Sequence, residues 1–334
     1  MTTVKNNSDF LFLYDAALCN PNGDPDQENK PRMDYDTNTN LVTDTRVKRY
    51  LRDYLKDIGN DIFVDMEGES KVSSDSKLEF VIERILSDEN ERQLIFQEKP
   101  DFQIVFEDVL KEKTDKESIL KLLQNKKNSK LNYYILAQLV KNKFVDIRMF
   151  GSAFAVKEFT KAYTGAIQLN WGYSLNQVEL VESNSIVTIM KDDSSTFGKD
   201  YRVYYSLLAF NGTINKYAAK TTGLSESDRE LFRKAIWESI PSLPTRSKMN
   251  QYPKIYIEII YNEGFNNGHF GDLRNLIEVG YKNDINPKQV RSFDDLNVDV
   301  TKLHDIIKTN MGKEKPIKEV IIKKSADFPE IEVN

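Results

Sequence analysis

The feature that narrows the fold most is a strand–helix–strand run in the second half of the chain. YRVYYSLLAFNGTIN, starting at Tyr201, alternates strongly enough to be a strand. SESDRELFRKAIWESI follows as an amphipathic helix, with Ser225 placed to cap it and Leu231, Ile236 and Ile240 marking a buried side. KIYIEIIYNEG, starting at Lys254, predicts the next strand. The N-terminal region repeats this order. DFLFLYDAALC alternates Phe10, Phe12 and Tyr14 ahead of a short apolar stretch, another strand signal. After a polar loop, Thr43 or Asp44 offers an N-cap, and Val47, Leu51, Tyr54, Leu55 and Ile58 recur at helical spacing. From Phe144 the chain reads as strand again through FVDIRMFGSAF, GAIQLNWGYSLNQVELVE and SIVTIM, and KDDSSTFGKD reads as turn. Reduced to essentials, this is the β-α-β-β-α-β ferredoxin-like order, which the RNA-recognition module shares.

Between the halves, KLEFVIERIL, KESILKLLQNK and LNYYILAQLVKN predict helices joined by charged, poorly patterned stretches. That predicts a helical insertion, and residues 172–200 would project as a long hairpin. The tail supplies one edge strand. The 334 residues, 40% hydrophobic and 30% charged, suit a soluble globular protein with a sizeable core. No apolar run is long enough to span a bilayer, and MTTVKNNSD has no apolar core that would make it a secretory leader. Cys19 is the single cysteine, so no intrachain disulfide is possible and a cytoplasmic location is expected. The net charge of −5 does not exclude nucleic acid, because phosphate binding needs a local basic surface and not a basic average.

Familiar catalytic signatures are missing. There is no GxGxxG, no GxxxxGK[ST] and no GxSxG, and the two histidines, His269 and His304, lie far apart. The loop NPNGDPDQENKPRMDYDTNTN is the one stretch that invites chemistry. Asp24, Asp26, Asp34 and Asp36 could hold a hard cation, although the loop fits no EF-hand pattern and Lys30 and Arg32 oppose a cation cage. It could equally be a solvent loop of turn formers. A third use is gripping a ligand. Asn22-Gly23 favours positive φ and an anion nest, Asn20 and Asn22 offer hydrogen bonds, and Arg32 reaches for phosphate. Arg46, Lys48, Arg49 and Arg52 then crowd the start of the next helix, where the macrodipole favours an anion. Two further segments repeat the combination. DIRMFGSAF sets Arg148 and Phe150 beside Gly151, and PTRSKM offers Thr245, Arg246, Ser247 and Lys248 ahead of a strand.

NPNGDP…PRMD…LVTDTRVKRYLRDYL resembles the N-terminal signature of the Cas-seven family, the backbone subunit of CRISPR Cascade complexes of types I-B and I-C. The likeness continues through DIRMFG, GAIQLNWGYSLNQVE, STFGKDYRVYYSLLAFNGTIN, AAKTTGLSESDRELFRKAIWESI and TRSKM, covering most of residues 8–263 in order. The resemblance implies an α+β fold with a modified RNA-recognition (ferredoxin-like) palm, at 1–58 and 144–263, including a β-hairpin thumb near 172–200. It also implies a helical fingers insertion at 59–143 and a C-terminal extension at 264–334 packing on the palm. Copies would assemble head-to-tail along a CRISPR RNA, with other Cascade subunits, while the guide pairs with the target DNA strand. The RNA contacts it implies are Asn20, Asn22, Arg46, Lys48, Arg49, Arg148, Phe150, Gly151, Gln168, Arg246 and Lys248, with Phe197 in the thumb beside a displaced base. No catalysis, cofactor or metal is expected. The competing expectation is a type III-like subunit that cleaves target RNA with a loop aspartate.

Overall fold

The computed structural model describes residues 2–67, 70–71, 88–97, 99–112, 116–123, 125–156, 159–182, 185–190 and 194–332. It is a mixed α+β structure with an antiparallel sheet, and it divides into two compact units. The first comprises 1–3, 55–166 and 217–229, and the second 4–54, 167–216 and 230–334.

The second unit is built on β1 (Ser8–Cys19), which pairs antiparallel with β2 (Val203–Ile214) on one side and β3 (Gln251–Tyr261) on the other. β4 (Ile317–Lys324) closes the β3 edge. Beyond β2 lie Gly172–Ser174, Thr39–Val42 and Met33–Asp34, and Ile167–Leu169 also pairs with β2. β1 is buried almost end to end because both of its faces are covered. Leu11 and Leu13 pack with Leu207, Ile255, Ile257 and the C-terminal residues Leu303, Ile307 and Phe328. On the opposite face Phe10 meets Tyr256 and Phe232, and Tyr14 stacks on Phe210 at 5.8 Å. Phe232 belongs to α2 (Glu226–Ser242), whose buried residues include Ala235, Ile236 and Ile240. Glu258, wholly buried on β3, ties α2 to the sheet by accepting from Arg233 Nε at 2.7 Å and from Tyr256 Oη at 3.0 Å. α1 (Asp44–Asp57) buries Val47, Tyr50, Leu51, Tyr54 and Leu55. Ile58, expected in that stripe, lies past the helix end and is exposed, and Tyr50 takes part instead.

In the first unit the helices Glu89–Phe96, Pro100–Glu112, Lys116–Leu123 and Ser129–Lys143 gather Phe96, Phe106, Val109, Ile119, Leu123, Leu131 and Ile135 into one core. The first two of these helices fall where the sequence read as connector. Their apolar residues occur in short clusters among charges, a weak periodic signal that tertiary packing completes. The helix expected at 77–86 lies outside the described residues.

Two more local expectations are overturned. Val145–Phe150, read as strand, is a helix. A short continuous apolar run is ambiguous between the two states. Here the buried Asp146 accepts the backbone N–H groups of Phe63 and Val64 at 2.8 and 3.0 Å, and Gly151 ends the helix at φ 73°. Within the segment read as turn, Ser194–Lys199 is a strand paired with Ser185–Met190, from Ser185↔Lys199 to Met190↔Ser194. The sequence also gave no sign of the hairpin Glu278–Tyr281/Leu296–Asp299 or of the helix Thr301–Asn310.

Candidate nucleic-acid interface

The end of β1 runs directly into the polar loop, and the loop is folded, not slack. Gly23–Asp24 pairs with Lys30–Pro31, and Met33–Asp34 pairs with the strand Thr39–Val42. The anion nest expected at Asn22-Gly23 does not form, because neither residue is among those with positive φ. Gly23 eases a tight spot instead: a Cβ there would lie 3.0 Å from the Asn29 carbonyl oxygen across the small hairpin. The aspartates serve as turn formers. Asp24 accepts from Asp26 N at 3.2 Å, and Asp34 accepts from Asp36 N at 3.1 Å and Thr37 Oγ1 at 2.8 Å. The Thr37 hydroxyl, followed by the Asp36 amide, holds the Asp34 carboxyl below its ordinary value. Among the described residues no three His, Cys, Asp or Glu side chains are grouped to hold a metal ion.

Asn22 is committed to the fold. Its Oδ1 accepts from Thr43 N at 2.9 Å and Thr43 Oγ1 at 3.0 Å, while Thr43 Oγ1 accepts from Arg46 N and so caps α1. Asn20 pins the loop to the PTRSKM turn. Its N–H donates to Ser247 O at 2.9 Å, its Nδ2 donates to Asn29 O at 2.7 Å, and its carbonyl accepts from Lys248 Nζ. Gln251 Nε2 donates to Lys248 O at 2.7 Å and to Tyr50 Oη at 3.3 Å. The Arg46 guanidinium lies 4.0 Å from the centroid of the Tyr50 ring. The fold thus brings Asn20, Arg46 and Lys248, three of the expected contacts, to one place.

Arg246 joins them from the same turn, 63% exposed at its side chain, with a bond from Nη2 to Asp200 Oδ2 at 2.9 Å. Arg202, which sequence reasoning missed, binds the same carboxylate and donates to the carbonyls of Leu18 and Arg246 at 2.7 and 3.3 Å. Its sole sequence signal was the arginine following the turn-rich segment. Burial, with Arg46 second, pushes the Lys248 amine down to about 8. Four buried polar atoms here, Tyr14 Oη, Asn20 Oδ1, Arg46 Nε and Gln251 Oε1, meet no partner among the described residues. A cationic cluster with two unmet donors, Tyr14 Oη and Arg46 Nε, has the chemistry to meet an anionic, hydrogen-bonding group.

The other expected contacts are placed differently. Lys48 is paired with Asp44 at 2.9 Å and Arg49 with Asp53 at 2.7 Å, each one turn along α1. Gln168 is exposed on its strand, opposite Thr213. Phe197 stands opposite Val187 in the hairpin, and its side chain lies outside the described residues. Arg148, Phe150 and Gly151 belong to the first unit. Arg148 grips Asp228 with two bonds, Nε–Oδ2 at 2.9 Å and Nη2–Oδ1 at 2.7 Å. Phe150 is 7% exposed. The close approach read into Gly151 is made by its own chain, since a Cβ there would lie 2.1 Å from the Tyr163 carbonyl oxygen.

The sequence profile of the family described as CRISPR-associated protein Cas7 matches residues 6–301. A CRISPR-associated protein Cas7 from Haloferax volcanii is 32% identical over 326 residues, covering 91% of this chain and 83% of its own. Among solved structures, a chain of a CRISPR RNA-guided surveillance complex in a pre-nicking state is 13% identical with a TM-score of 0.45, covering 77% of this chain and 79% of its own. A chain of another CRISPR RNA-guided surveillance complex is 12% identical with a TM-score of 0.39, covering 77% of each.

Proposed function

The chain belongs to the family of CRISPR-associated protein Cas7, and from that premise we propose that it is a non-catalytic, CRISPR RNA-gripping backbone subunit of a cytoplasmic type I Cascade complex. The observation that carries this reading is the gathering of Arg46, Lys248 and Arg246 around Asn20 at the end of β1, where Asp200 pairs with Arg246. Such a cluster supplies the sequence-independent phosphate contacts that position a strand. The order β3, β1, β2 and then the strands at 167–174 is compatible with an RNA-recognition palm. On this reading the helical segment within 59–143 forms the fingers, the hairpin within 172–200 forms the thumb, and residues 264–334 form an extension on the palm. Copies pack head-to-tail along the guide beside other Cascade subunits, and the guide's bases stay free to pair with target DNA.

The competing reading, an RNA-cleaving subunit using a loop aspartate, draws no support from Asp34, which is spent on its own turn. The test is RNA affinity as a function of salt. Arg46→Ala combined with Lys248→Ala is expected to weaken binding of single-stranded RNA at least about tenfold and to flatten the slope of log K against log salt by about 1.4, two contacts at about 0.7 each. An unchanged slope would remove both residues from the phosphate path.

A further inference from the structure

Trp171 is half exposed, at 50%, on a segment that is otherwise held firmly. It sits where the strand breaks between Ile167–Leu169 and Gly172–Ser174. The Asn170 N–H on one side donates to Asn211 O at 3.0 Å. On the other side Gly172 lies against Phe210, where a Cβ would fall 2.3 Å from the ring. The Trp171 carbonyl accepts from Arg274 Nη1 at 2.7 Å. Arg274 is itself fixed by Asp272, with Nη2–Oδ2 at 2.6 Å, and stacks on Tyr173 at 4.2 Å. The backbone under the indole is therefore clamped from several directions, yet the ring is left open to water.

The Trp171 ring also carries a cation. The Arg32 guanidinium lies 5.9 Å from its centroid, its Nε is buried without a partner among the described residues, and its link to Asp24 is long at 3.4 Å. The adjoining strand presents the exposed Gln168. An open indole on a clamped backbone, beside a guanidinium with a long ion pair and among polar neighbours, suits a flat, anion-bearing ligand better than an apolar protein surface. Stacking needs a π-face and no particular base edge, and arginine supplies the accompanying charge.

We propose that Trp171 is a stacking platform for an unpaired nucleobase of the bound RNA, with Arg32 taking the adjoining phosphate. This assignment rests on the RNA-binding reading above and extends it to a position outside the Asn20–Lys248 cluster.

The chain has two tryptophans, Trp171 and Trp237, so Trp237→Phe leaves Trp171 as the sole indole reporter. Single-stranded RNA is titrated while its own fluorescein anisotropy is followed in parallel. A saturable fall in Trp171 emission that tracks the anisotropy is expected. Trp171→Ala is expected to weaken binding about 5- to 150-fold, while Trp171→Phe, which keeps a π-face, retains most of the affinity. Should Trp237→Phe fold poorly, the wild type minus Trp171→Phe gives the same emission by difference. RNA bound with unchanged Trp171 emission and undiminished affinity in Trp171→Ala would overturn the platform alone. So would a Trp171→Ala defect confined to association between copies of the chain. No anisotropy change in any variant would overturn the RNA reading along with it.

Discussion

Lys248 shows how one residue's position would set a property of the proposed RNA binding. Its ammonium is half buried between the Asn20 carbonyl and Arg46, and burial followed by that neighbouring charge brings its titration to about 8. On the proposed contact a phosphate would favour the charged form, so the bound amine would titrate higher than the free one. Below that value the free amine already carries its proton and affinity is flat. Above it, binding must draw a proton from solution, and affinity falls by up to about tenfold per pH unit. RNA affinity measured between about pH 7 and pH 9 at fixed salt is expected to show this fall in the wild type and to lose it in Lys248→Arg, whose guanidinium stays charged. A wild-type profile as flat as the variant's would mean that no phosphate contacts Lys248. The nearby Cys19 thiol, pushed up to about 12 chiefly by burial, stays protonated throughout.

At the scale of the element, the start of α2 is held by a polar knot. The Ser225 hydroxyl accepts the Asp228 N–H at 3.1 Å, and the Asp228 carboxylate accepts from Ser225 N at 2.9 Å and Oγ at 2.8 Å, a reciprocal cap. Arg148 closes the knot from the helix Val145–Phe150. Burial works against the Asp228 charge, but Arg148 and Ser225 outweigh it and hold the carboxyl below its ordinary value. Its contribution to stability is therefore complete above the ordinary aspartate value of 3.8 and is lost as the pH falls through the lower folded-state value. Arg148→Ala strands a buried carboxylate and is expected to cost about 3–5 kcal/mol, seen as a lowered thermal midpoint. Adding Asp228→Asn to it should recover part of the loss, because the uncompensated charge is gone. A midpoint unchanged in Arg148→Ala would show that the pair holds nothing together.

At the scale of the whole molecule, a backbone subunit is expected to copurify with RNA of uniform length and to leave RNA complementary to the guide intact in the presence of magnesium. Wild type and Asp34→Ala should be indistinguishable in that assay, and cleavage lost in the variant would restore the catalytic reading. The sequence by itself determined which segments are strands and helices wherever periodicity was strong: β1, β2, α2 and β3 are legible because their long apolar patterns repeat at the spacing of a strand or a helix. It also determined the family, because several separated motifs keep one order. Short or irregular segments were decided by tertiary structure. Val145–Phe150 is helix because Asp146 finds Phe63 and Val64, and the helices of 89–112 exist through a shared core. The site follows the same division. Residue types flagged the basic segments, but periodicity does not say which cations are already spent. Only the fold neutralised Lys48, Arg49 and Arg148 with carboxylates of their own and left Arg46 and Lys248 together with none among the described residues, because which side chains meet, one turn along a helix or across distant segments, is set once the chain is folded.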